Sequence, residues 1–186
     1  MIWNEILCLG DSLTYGARDC YRRSYPVELG QILYEKTKEF YICHNYGVNG
    51  ETSSDLLRRS WNILKSNQSC KICLLLIGTN DTKQPTPLGV YKDNMRQIIM
   101  SIKSNGMKPI VGTLPPLTFS PSYALNREYT KKYSKLIEEM AKPGQLNFRT
   151  CDLEDLGPFL LDGVHFDNSG YKKMAEKFAS SILKMA

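Results

Sequence analysis

The run Ile72-Cys73-Leu74-Leu75-Leu76-Ile77 is apolar at every position. A strand with one wet face alternates apolar and polar residues, so a strand that does not alternate needs cover on both faces. Four more short apolar or β-prone runs accompany it: Ile6-Leu7-Cys8-Leu9, Phe40-Tyr41-Ile42-Cys43, Pro109-Ile110-Val111-Gly112 and Leu146-Asn147-Phe148. Between and after them lie longer stretches of helical pattern near 26–38, 53–65, 88–104, 123–141 and 168–184. The last is the clearest, with Met174, Phe178 and Ile182 recurring every four residues beside Ala175, Ala179 and Leu183, while Lys172, Lys173, Glu176 and Lys177 face away. Alternating strand and helix predicts an α/β chain: about five parallel strands, helices on both faces and right-handed crossovers. In such open sheets the functional site lies beyond the carboxyl ends of the strands.

At 186 residues folding buries roughly 70% of the extended chain's surface, enough for a core without disulfide or metal staples. No repeat, low-complexity tract or internal linker divides the chain, so a single domain over 1–186 is expected. No apolar run approaches the ~20 residues that span a bilayer. The N-terminal stretch has Glu5 and no basic region, so it does not read as a signal peptide. The reading that follows is a cytoplasmic protein whose six cysteines stay reduced, with Cys8, Cys43 and Cys73 serving as small hydrophobes. Lys and Arg exceed Asp and Glu by 24 to 19, a mild excess densest over 127–142. Glu128, Glu138 and Glu139 are interspersed there, so the stretch reads as a solvated helix face, not a nucleic-acid patch.

Four loops follow predicted strands or precede the last helix. Gly10-Asp11-Ser12-Leu13-Thr14-Tyr15-Gly16 holds a hydroxyl in a tight turn, where Asp11 or Ser12 can equally cap a helix. Asn45-Tyr46-Gly47-Val48-Asn49-Gly50-Glu51-Thr52 offers two glycines ahead of a helix that Thr52 or Ser53 can cap. Glycine lets backbone approach a ligand, and a helix start presents free N–H donors. Gly78-Thr79-Asn80-Asp81 puts a side-chain amide donor at the end of the apolar strand. Leu161-Asp162-Gly163-Val164-His165 carries one of only two histidines, with a carboxylate three residues upstream that can orient the ring. The other, His44, lies at the end of an apolar run and reads as structural. Cys70 and Cys73 form a lone CxxC with no second pair, which argues against structural zinc.

Gly10-Asp11-Ser12-Leu13, Gly50, Gly78-Thr79-Asn80-Asp81 and Asp162-Gly163-Val164-His165 resemble, in order, the four signature blocks of the SGNH hydrolases, also called GDSL esterases/lipases. The resemblance spans residues 10 to 165. It implies a flavodoxin-like α/β/α sandwich and acyl hydrolysis by a Ser, His, Asp triad without metal or organic cofactor. By motif position Ser12 is the nucleophile, His165 the base and Asp162 its orienter. The oxyanion hole is then the Ser12 N–H, the Gly50 N–H and the Asn80 side chain. Gly50 matches because it precedes Glu51-Thr52, with Gly47 the alternative.

The implied partner is a small-molecule ester. The loop Leu114-Pro115-Pro116-Leu117-Thr118-Phe119-Ser120-Pro121-Ser122-Tyr123, with Tyr15 and Tyr46, can form an apolar acyl pocket, a stacking wall for a sugar, or simply a cover for the core edge. Without an amphipathic lid, short acyl groups such as acetyl on carbohydrate fit better than long chains. Thioester or lysophospholipid hydrolysis, and non-catalytic binding of acylated ligands, are the competing readings.

Overall fold

The computed structural model describes residues 4–21, 23–120 and 125–185. Five parallel strands run β1 (Asn4–Gly10), β2 (Tyr41–Gly47), β3 (Ile72–Leu76), β4 (Lys108–Gly112) and β5 (Arg149–Cys151), in the sheet order β2-β1-β3-β4-β5. The helices are α1 (Ser12–Tyr15), α2 (Tyr25–Thr37), α3 (Ser53–Ser66), α4 (Leu88–Ser104), α5 (Arg127–Ala141) and α6 (Asn168–Leu183). Helix α2 packs on α6, while α3, α4 and α5 pack in series. The result is the three-layer α/β/α arrangement expected from the alternation.

Strand β3 lies between β1 and β4, and Cys73 to Leu76 have no accessible surface. That burial is why the strand is apolar without alternation. Met174, Ala175, Phe178, Ala179 and Ile182 of α6 are buried, and Phe178 stacks on Tyr25 of α2 with ring centroids 4.9 Å apart. Fully burying each such large side chain stabilises the fold by roughly 1.5–3 kcal/mol. On α5 the basic residues Arg127, Lys131 and Lys135 are exposed among Glu128, Glu138 and Glu139, a solvated face, and Lys142 is exposed just past its end.

Two boundaries differ from the sequence reading. The fifth strand is Arg149–Cys151, not 146–148: Asn147 takes a left-handed φ of 47°, and Leu146 N–H turns back to the Met140 carbonyl at 3.0 Å. The apolar residues Leu146 and Phe148 therefore pack from a turn instead of pairing. Helix α5 starts at Arg127, capped by the Asn126 side chain, and positions 123 and 124 of the predicted helix lie outside the described residues. The one-turn α1 was too short to leave a periodic signal.

Strand order reverses direction at β1, from which the chain moves first to β2 and then back to β3. Loops from these three neighbours therefore open onto one crevice, the switch point where ligands bind in open sheets.

Candidate active site

Gly10 ends β1, and the chain turns at once into α1. The Asp11 carboxylate accepts the Leu13 N–H at 2.9 Å and caps that turn, placing Ser12 at the first helical position. Ser12 is 5% exposed and lies at the base of a cleft of about 730 Å³. Its Oγ is 2.9 Å from His165 Nε2, although 153 residues separate them.

His165 is carried on a turn that Asp162 organises. One Asp162 oxygen accepts the backbone N–H groups of Val164 at 3.1 Å and His165 at 2.7 Å; the other lies 2.9 Å from His165 Nδ1. Gly163 permits this with φ at 86°, and a Cβ there would meet the Phe119 carbonyl oxygen at 2.7 Å. Burial pushes the Asp162 carboxyl up, but the hydrogen bonds from His165 and Val164 outweigh it and hold it below its ordinary value. A carboxylate at Oδ2 fixes the proton on Nδ1 and leaves Nε2 free to accept from Ser12. Arg18 Nε lies 3.4 Å from the same oxygen at the mouth of the cleft.

Gly50 and Asn80 line the same cleft. The Ser12 and Gly50 amides donate to no group among the described residues. Asn80 Nδ2 donates one hydrogen to the Glu51 carbonyl at 2.9 Å, which orients the amide and leaves its second hydrogen for the cleft. Gly47 has a different job. Its N–H is taken by Asn45 Oδ1 at 2.9 Å, and a Cβ on it would meet Tyr15 N at 2.1 Å, so it is the point where β2 passes against α1.

Three supports were not evident from sequence, two of them buried. Asp81, wholly buried, accepts Ser53 N–H at 2.8 Å and Ser53 Oγ–H at 2.6 Å, and so bolts the Asn80 turn to the start of α3. Asn94 of α4 donates to both Ser53 Oγ and Ser54 Oγ. Arg59 of α3 binds both Glu51 oxygens, at 2.7 and 2.8 Å from Nε, and also donates to the carbonyls of Gly10 and Tyr46. One guanidinium thereby holds the loops after β1 and β2 in register, a fork geometry lysine cannot reproduce.

Tyr15, 56% exposed, lines the cleft, but Tyr46 does not. The Tyr46 hydroxyl accepts from Asn67 beneath the end of α3, because its parity on β2 turns the ring onto the sheet face. Leu117 is buried as core-edge cover, and Phe119, 79% exposed, is not among the residues lining the cleft. Pro121, Ser122 and Tyr123 lie outside the described residues. His44 bonds Glu5 at 2.8 Å on the sheet, away from the cleft.

Residues 8–173 match the model of the GDSL-like lipase/acylhydrolase family. The chain belongs to this family. As a GDSL-like hydrolase it is an enzyme of the esterase/acylhydrolase class. It is similar to the isoamyl acetate-hydrolyzing esterase of Saccharomyces cerevisiae, 26% identical over 92% of this chain and 83% of that one. An acetylxylan esterase of Xylanibacter ruminicola is 24% identical over 96% of this chain, which spans 43% of that longer protein. The lipase/acylhydrolase structure from Enterococcus faecalis superposes with a TM-score of 0.83 at 20% identity, over 98% of this chain and 96% of that one, a likeness of fold. No described helix of this GDSL-like hydrolase is long and apolar enough to cross a membrane.

The Asp11 carboxyl is the unusual titrating group here. Burial, followed by the nearby charges of Asp81 and Glu51, pushes it from 3.8 to about 7 against the opposing Leu13 N–H, and its Oδ2 has no hydrogen-bond partner among the described residues. The folded state thus holds a proton that the unfolded chain releases at lower pH. Stability from this group is full below the unfolded value and falls as pH rises through about 7, by up to ~1.4 kcal/mol per pH unit within that window. Asp11→Asn keeps the capping oxygen without the charge. Its melting temperature relative to the parent should therefore rise between about pH 5 and pH 8; a difference that stays constant in a thermal scan series would exclude a charging cost at Asp11.

Proposed function

We propose that this GDSL-like hydrolase cleaves short-chain carboxylic esters, O-acetylated carbohydrate among them, through an acyl-enzyme on Ser12, acting as one catalytic domain. The observation that carries the reading is the unbroken chain Asp162–His165–Ser12 at the base of a cleft that Gly50 and Asn80 also line. Ser12 Oγ attacks the ester carbonyl while its proton passes to His165 Nε2. The carbonyl oxygen, now negative, takes hydrogen bonds from the Ser12 and Gly50 amides and the free Asn80 N–H. Collapse breaks the ester C–O bond, and His165 returns the proton to the departing alcohol. Water then repeats the attack, losing a proton to His165 and freeing the acid and Ser12. Asp162 stays ionised throughout and stabilises the charged imidazole between steps.

The lining supports this substrate class. Tyr15, Val27 and Leu125 are mixed with Asn45, Asn49 and Arg18, so the cleft offers short apolar contacts beside hydrogen-bonding groups. That composition favours a small acyl group on a polar alcohol over a long acyl chain. The names of both curated relatives refer to acetyl esters, one of a small alcohol and one of a polysaccharide. A panel of p-nitrophenyl esters from acetate to decanoate, with acetylated sugars and acyl-CoA alongside, tests this. The highest kcat/KM is expected on acetate and acetylated sugar. A maximum at decanoate or on acyl-CoA overturns the substrate assignment.

Asn80→Ala removes one oxyanion donor while Asp81 continues to tie the turn to α3. Loss of a single such donor costs about 10²–10³ in kcat, or ~2.7–4 kcal/mol. With p-nitrophenyl acetate, kcat should fall by that factor, while loss of the bond to the Glu51 carbonyl lowers the melting temperature by only a few degrees. Turnover within a few-fold of the parent would take Asn80 out of the oxyanion hole.

A further inference from the structure

Towards the opposite end of the sheet, a second set of chemistry-bearing side chains converges. Glu5 of β1, His44 of β2 and Cys70, two residues before β3, place a carboxylate oxygen, an imidazole nitrogen and a thiol sulfur all within 4.8 Å of one another. Glu5 Oε2 already meets His44 Nε2 at 2.8 Å and accepts the Ser69 hydroxyl at 2.9 Å, so its direction is fixed. The group is about five strand residues from Gly10, roughly 17 Å at the usual rise, and shares no residue with the cleft lining.

We propose that Glu5, His44 and Cys70 bind one divalent transition-metal ion of the zinc class. The donor set selects the metal: thiolate and imidazole suit zinc and its neighbours, whereas magnesium and calcium want oxygen alone. Charge is balanced as well, since one carboxylate and one thiolate neutralise the dication. Tetrahedral bonds of about 2.0–2.3 Å put ligand atoms roughly 3.3–3.6 Å apart. The Glu5–His44 pair need only open slightly and the Cys70 side chain swing inward. The fourth position is open to water, because the His44 and Glu5 side chains are 32% and 29% exposed, while Cys70 is 1% exposed and closes the dry side.

On binding, the Cys70 thiol gives its proton to solvent as the Sγ–metal bond forms. His44 exchanges its hydrogen bond to Glu5 for a metal bond at Nε2, and the ring proton it donated from Nε2 moves through solvent to Nδ1. One proton is released per metal. The three ligands stand on or before β1, β2 and β3, the strands whose far ends lead to Ser12, Gly50 and Asn80. A metal here clamps those strands together, and its effect is on stability and not on the acyl chemistry.

The probe is cobalt(II), titrated into the full-length protein after treatment with chelator. The expected result is binding at one equivalent, with a near-ultraviolet thiolate-to-cobalt charge-transfer band and visible bands of tetrahedral intensity. Cys70→Ser and Cys70→Ala should both lose the charge-transfer band while keeping the parent's circular dichroism. His44→Gln, which leaves the buried thiol alone, should weaken cobalt binding at least tenfold, and this covers the case in which the Cys70 variants do not fold. Zinc at one hundred times its Kd should raise the parent's melting temperature by roughly 5–10 °C, and should not do so in His44→Gln. Absence of the band at millimolar cobalt overturns the proposal. So does a band that persists in the Cys70 variants, which would report the exposed Cys20, or unchanged cobalt affinity in His44→Gln.

Discussion

Ser12→Ala is expected to lower kcat on p-nitrophenyl acetate by on the order of 10⁶, the loss seen when a triad nucleophile is removed, and to abolish labelling by a serine-directed fluorophosphonate. The size follows from the geometry: Ser12 Oγ is the atom bonded to His165 Nε2, and once it is gone the remaining donors can only bind ester and polarise it for water. The fold should not suffer, since Asp11 caps α1 through the Leu13 amide and not through the Ser12 hydroxyl. Labelling separates enzyme from binder. A protein that merely holds acylated ligands would not react with the probe, whereas the proposed enzyme reacts at Ser12 and nowhere else. Labelling that survives in Ser12→Ala, or full turnover in that variant, sinks the assignment.

The second large effect belongs to Asp162→Asn, expected to cost about 10⁴ in kcat with the turn intact. One carboxylate oxygen accepts two backbone amides, and the asparagine oxygen can keep both. Its amide nitrogen then occupies the other position, facing His165 Nδ1 and Arg18 Nε, both of which donate to the native oxygen or lie close to it. A donor opposite Nδ1–H forces the ring into the other tautomer, with hydrogen on Nε2 and no lone pair for the Ser12 proton. KM should hardly move, because Asp162 acts through the ring and not on the ester. Kinetics on p-nitrophenyl acetate decide it: a loss below tenfold would mean that the carboxylate does not orient the base.

The alternation of apolar runs with helical periods carried most of the fold, since burial on both faces of β3 writes itself into consecutive residues. It failed at Arg149–Cys151, because a three-residue edge strand needs no apolar run and the neighbouring Leu146 and Phe148 supplied a misleading one. In the site, residues with chemistry of their own stood out: a serine in a tight turn, one spare histidine with a carboxylate beside it, an amide at a strand end. Asp81 and Arg59 did not, because their importance lies in partners 28 and 49 positions away and in burial, neither of which has a local signature. Tyr46 was misplaced for a simpler reason: only strand parity decides which side of the sheet a residue faces. Glu5, His44 and Cys70 sit on three separate segments, so ligand spacing along the chain could not reveal them.

The bonding of Asp81 to Ser53 has a consequence for how the molecule breathes. Local opening is cheap where backbone is exposed and few groups are buried, and approaches the global unfolding cost inside a packed core. The Asn80 turn, proposed to receive the oxyanion and anchored to α3 by the fully buried Asp81 side chain, belongs to the second category. The Arg18 loop sits at the surface and belongs to the first. In the proposed mechanism the donors at the Asn80 turn therefore stay fixed, while the exposed Arg18 loop at the mouth of the cleft opens at lower cost.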